Sequence, residues 1–147
     1  MRRRQTAPMQ WLILRDAEDR TGLAAAHRLR GGAGVLLLRP VAPGQMRKLR
    51  QRGLTVIEEH PGTAVRVHDV HELRRALLAR TPLILLSPIY QTASHPGWKP
   101  LPRMRAAALA RLSKRRLFAL GGMDARKFAQ IRRLGFQGWA GISAFKT

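Results

Sequence analysis

The sequence predicts an α/β fold built on a parallel sheet. Seven short apolar runs recur along its 147 residues, and most are apolar throughout, as in strands covered on both faces. Stretches with helical spacing and recognisable ends separate them. Side chains capable of chemistry gather just after the runs, where parallel α/β folds place their sites. Such strand-helix repeats form either an open doubly wound sheet or a closed β/α barrel.

The elements follow in order. Residues 1–10, MRRRQTAPMQ, read as a basic and flexible arm ahead of a single domain over 11–147. The arm lacks the apolar stretch of a secretion signal, and no run reaches the ~18 residues needed to cross a bilayer. A cytoplasmic location without a membrane partner is expected. A strand over 11–14 precedes a helix over about 20–30 that ends at Gly31-Gly32, since glycine accepts the left-handed terminating conformation. Further strands are expected at 35–38 and 54–57, and again at 65–67, 83–86, 117–120 and 139–142. Asp69 caps a helix carrying Glu72 three residues on, with Leu73, Ala76 and Leu77 on one face. Pro102 opens a helix with Met104, Ala108, Leu109 and Leu112 as its apolar face, ending near Lys114. Asp124 caps another, with Phe128, Ile131 and Leu134 inward and Gly135 as its stop.

One connection departs from the scheme. Only Glu58 through Ala64 separate the strands at 54–57 and 65–67, whereas a parallel crossover needs about a dozen residues. Either the two pair antiparallel around Pro61-Gly62, or one is not a strand, or a whole unit is missing. No closing helix follows the last strand.

Composition narrows the chemistry. Hydrophobic residues make up 45% of the chain, enough for a core despite a net charge of +20. The absence of cysteine excludes disulfides, thiolate metal ligands and cysteine nucleophiles. Five of the 28 basic residues are lysine and the rest arginine, spread over every segment with few aromatics between them. Nucleic acid is therefore not the expected partner.

Two loops carry the strongest chemical signals. Gly121-Gly122 stands between a strand and a helix start, where backbone amides can close on a phosphate, and Gly141-Ile142-Ser143 supplies a second turn nearby. A glycine pair at a strand end is equally a tight turn. The stretch Ser87-Pro88-Ile89-Tyr90-Gln91-Thr92-Ala93-Ser94-His95-Pro96-Gly97 sets hydroxyls and a histidine between turn formers. His68 follows another strand, and imidazole suits proton transfer near neutrality. His27, His60 and His71 lack ligand spacing and are assigned to the surface.

These motifs resemble a family. Leu-Ser-Pro-Ile-Tyr-x-Thr-x-Ser-His, then Ala-Leu-Gly-Gly-Met, then Gly-Trp-Ala-Gly-Ile-Ser-Ala is similar to the C-terminal half of thiamine phosphate synthases and the related thiazole tautomerases of the TenI type. Val67-His68-Asp69 with Glu72-Leu73 is similar to the segment before them, and Gly34 through Arg39 more weakly to the second strand. The resemblance implies a shortened TIM-type (β/α) barrel, lacking about one β/α unit and the closing helix. It also implies phosphorylated thiazole as ligand, with pyrimidine pyrophosphate as co-substrate of a coupling transferase in thiamine biosynthesis. Gly121, Gly122, Gly141, Ile142 and Ser143 would then hold the thiazole phosphate. Thr92, Ser94 and His95 would contact the ligand, and Arg39 would clamp pyrophosphate. A synthase would need Mg2+, for which Glu58 and Glu59 are the nearest donors; a tautomerase would need no metal and would use His68 as its acid/base. His95 stands where the family has lysine, and Leu37 and Val41 where it has glutamine and lysine. A non-catalytic phosphate-binding protein is the third reading. Missing barrel parts leave strand edges and apolar seats uncovered, so self-association into a homo-oligomer is expected.

Overall fold

The computed structural model describes residues 8–92 and 95–145, so most of the basic arm lies outside it. All seven expected strands form. They are β1 (Gln10–Leu14), β2 (Gly34–Leu37), β3 (Thr55–Glu58), β4 (Ala64–Val67), β5 (Leu83–Leu86), β6 (Leu117–Ala119) and β7 (Gly138–Gly141). Every pairing is parallel, in the order β3-β2-β1-β7-β6-β5-β4. The sheet curves 247° round and stays open between β3 and β4. It is a TIM-type barrel with one unit removed.

The open seam answers the question raised by the short connection. β3 and β4 do not pair with each other; both are strands, and a crossover unit between them is what the chain lacks. The segment from Glu59 to Thr63 descends from the carboxyl end of β3 to the amino end of β4. Thr63 tethers it, its hydroxyl donating to the carbonyl of Glu58, while Thr63 and Ala64 both donate from the backbone to the carbonyl of His60. Arg66 of β4 reaches back to Glu59, Nη2 to Oε1 at 2.8 Å.

Alternation along the strands divides the core into an inside and an outside. Trp11 and Ile13, Leu36, Leu83 and Leu85, Phe118 and Ala140 fill the barrel. The opposite faces of the same strands pack under helices α1 (Arg20–Arg28), α2 (Pro43–Gln51), α3 (Val70–Leu78), α4 (Arg103–Leu112) and α5 (Ala125–Ile131). The expected caps are present: Asp69 accepts from the backbone of Glu72 at 2.8 Å and Asp124 from that of Lys127 at 2.7 Å. Gly135 is left-handed at φ +109°, after a 3-10 turn that extends α5.

Three details differ from the sequence reading. α2 is an additional helix: Pro43 stands in its first turn, but Ala42 at its N-cap offers no side-chain acceptor and its sequence is basic. α1 stops at Arg28, before the glycines. α4 buries Ala106, Leu109 and Ala110, and turns Met104, Ala108 and Leu112 outward, ending at Leu112. After β7 comes a 3-10 turn, Ser143–Phe145, whose Phe145 ring stacks on Trp139 with centroids 5.1 Å apart and touches both outer core clusters. Among the described residues no helix is long and apolar enough to cross a membrane.

Candidate active site

The carboxyl ends of β4 to β7 surround a cavity of about 600 Å³. Its apolar floor includes Ile13, Leu38 and Leu120. The walls come from residues that immediately follow strands: His68 after β4, Ser87 and Pro88 after β5, Gly121 to Met123 after β6, and Ile142 and Ser143 after β7. Thr92, His95 and Trp98 reach it from the connection to α4. Through the seam, Glu59, His60 and Arg66 complete the wall.

The glycine pair has two structural reasons. Both residues are left-handed, Gly121 at φ +103° and Gly122 at φ +61°, a region that L side chains enter at a cost. Both also lie against the β5–α4 connection: a Cβ at Gly121 would stand 2.9 Å from Pro88 Cα, and one at Gly122 would collide with the carbonyl of Gln91. The approach is sealed by Ile89 donating to Leu120 at 2.9 Å and Tyr90 to Gly121 at 3.0 Å. Behind the turn, Lys127 Nζ donates to the Gly122 carbonyl at 2.9 Å and lies 5.3 Å from the Tyr90 ring centroid. A cation is thus held one layer below the amides.

An aromatic group also lines the cavity. Trp98 stacks on His95, centroids 4.0 Å apart and planes 9° off parallel, and meets His68 edge-on at 5.8 Å. His68 meets the first turn of α3, its Nδ1 at 3.4 Å from Glu72 Oε1. At the seam, Glu59 Oε1 accepts from Arg66, while Oε2 is buried with no hydrogen-bond partner among the described residues. Such an atom is costly to leave unpaired.

With this geometry in place the comparison with known families is decisive over the second half of the chain. The thiamine monophosphate synthase family matches residues 62–145, the stretch holding β4 to β7 and their loops. This protein belongs to the thiamine monophosphate synthase family. No curated protein matches the chain.

Of the family positions assigned from sequence, His68, Thr92, His95, Gly121, Gly122, Gly141, Ile142 and Ser143 line one cavity. Ser94 lies outside the described residues. Arg39 is exposed beyond β2 and does not line the cavity. Glu59 lines it but Glu58 does not. His60, assigned to the surface, is exposed and yet lines the cavity, its Nδ1 accepting from the backbone of Gly62 at 3.2 Å. Arg66, Trp98 and Lys127 were not singled out from sequence. Arg66 was hidden in an apparently alternating strand, and Trp98 lay beyond the loop motif.

A synthase of this family would call for magnesium, a hard cation that wants several oxygen ligands. Magnesium is usually held by one or two carboxylates together with substrate phosphates and water, and the carboxylate that lines the cavity is Glu59. The cavity's one carboxylate is paired with Arg66, and among the described residues no three His, Asp or Glu gather closely enough to hold a metal.

Proposed function

We propose that the protein binds a phosphorylated thiazole and moves a proton on it without a metal, as a tautomerase. The observation that carries this reading is the shared cavity, lined by His68, by the Gly121-Gly122 and Gly141-Ser143 turns and by one ion-paired carboxylate, Glu59. The turns offer backbone amides and a hydroxyl to the phosphate dianion, with Lys127 adding positive potential behind Gly122. The thiazole ring lies toward Trp98, whose exposed face suits an aromatic ligand.

His68 then does the chemistry. Glu72 engages Nδ1, so exchange with the ligand falls to Nε2, which takes a proton from one ring position and returns it to another. The substrate changes its bonding and not its composition. Positioned acid/base groups contribute about 10²–10⁴-fold. Replacing His68 with Ala is therefore expected to reduce turnover of a carboxythiazole phosphate at least a hundredfold, with its dissociation constant unchanged by calorimetry. Equal turnover in the variant would remove His68 from the chemistry.

The coupling of thiazole phosphate to a pyrimidine pyrophosphate is the second reading, favoured by family membership. Incubation with both substrates and Mg2+ decides between them. Thiamine phosphate above the protein-free blank would replace the tautomerase reading with the transferase one, and ligand binding without turnover in either assay would leave a phosphate-binding protein.

A further inference from the structure

Along the sequence the arginines are scattered, but in the fold the carboxylates are not. Asp16, Glu18 and Asp19 follow β1; Glu58 and Glu59 end β3; Asp69 and Glu72 follow β4; Asp124 follows β6. All eight acidic residues of the chain therefore stand at the carboxyl pole, around the cavity. The opposite pole, made of the turns that lead from helices into strands, contains none. It carries Arg30 after α1, Arg80 after α3, Lys114 and Arg115 after α4, and Arg132 and Arg133 after α5, all exposed and none in an ion pair among the described residues.

A second observation concerns backbone. Among the described residues, the only non-glycine residues with positive φ are Arg80 (54°), Lys114 (55°) and Arg115 (63°). Each ends a helix where glycine would adopt that conformation without a penalty. A cation at a helix C-terminus gains from the macrodipole, but that gain is available one turn earlier in a right-handed residue. Three basic side chains at three left-handed positions on one acid-free face need a further reason.

We infer that this pole is a docking surface for double-stranded nucleic acid, gripped through its phosphate backbone. Arginine matches phosphate oxygens in a bidentate fork, and a face without carboxylates has no repulsive element to exclude a polyanion. Single strands fit less well, because the exposed tryptophan, Trp98, stands at the other pole and leaves no stacking platform here. Leu78 and Leu112 are exposed at the ends of α3 and α4. Two apolar side chains among six cations offer little area to a bilayer.

The test uses the full chain, a fluorescent duplex of about 20 base pairs and anisotropy over a range of salt, since neutralising Z phosphates gives a slope near −0.9Z in log K against log salt. The variant Arg80→Gly/Lys114→Gly/Arg115→Gly removes charge while relieving the left-handed backbone, so its melting temperature should hold or rise. Its duplex affinity should fall at least tenfold at 0.1 M salt, with the slope shallower by about 2–3 and thiazole phosphate binding at the other pole unchanged. A duplex affinity and slope equal to those of the parent would overturn the inference. So would loss of binding on replacing Arg2, Arg3 and Arg4 alone with no effect of the glycine variant. Tight binding to vesicles of anionic lipid with no binding to duplex would overturn it in favour of a membrane.

Discussion

Trp11 fills the barrel only because Gly34, beside it on β2, has no side chain: a Cβ there would overlap the indole ring. Gly138 admits the backbone carbonyl of Met9, with which a Cβ would collide, and leaves room for Phe118, which meets Trp11 edge-on at 6.4 Å. Two large aromatics thus share the lumen. Overpacking a well-filled core costs about 1–3 kcal/mol, so Gly34→Ala should lower unfolding stability by that amount in denaturant titration with little change in slope. An unchanged midpoint would mean that the indole can move aside. At the same scale, His68 and the glycine turns were legible because each follows an apolar run, and the end of a parallel strand is where chemistry collects. Arg66 was not, since its meaning comes from a missing neighbour: with no strand on the seam side of β4, its side chain spans the seam to Glu59. No periodicity encodes that.

Elements were readable where a cap or stop is written in one residue. Asp69 and Asp124 both accept from the third backbone amide beyond them, as their spacing implies. The face of α4 was misjudged because an alanine-rich helix offers two similar apolar stripes, and tertiary packing chose the smaller side chains, Ala106 and Ala110, which let the helix lie close to the sheet. α2 begins at Pro43 with no capping side chain, so only the proline in its first turn marks its start, without an apolar face behind it to support the reading. The cap at Asp124 couples stability to the site, since α5 starts where the Gly121-Gly122 turn ends. Asp124→Ala should destabilise the fold by about 1 kcal/mol. It should also weaken thiazole phosphate binding, read by calorimetry, because Lys127 reaches the Gly122 carbonyl from the first turn of that helix. Loss of stability with unaltered affinity would show that the turn holds its shape without the helix.

For the whole molecule, the decisive feature is the seam. β3 and β4 each have a partner on one side only, and unpaired edges favour pairing with another chain. Residues 59–63 cross the gap without forming a strand, so they cover it without satisfying both edges. Against association stands a net charge of +20, which repels a second copy most when salt is low. Screening shortens that repulsion from about 10 Å at 0.1 M to about 3 Å at 1 M ionic strength, whereas edge hydrogen bonds and apolar contacts are barely weakened. The two terms therefore separate by salt. Light scattering should give a mass near 16.5 kDa at low salt, rising toward twice that value as salt is added. The opposite trend, a larger mass that falls with salt, would indicate association through the Arg66–Glu59 pair or other ionic contacts. A mass that stays at the monomer value throughout would mean that the 59–63 segment alone is enough to close the barrel.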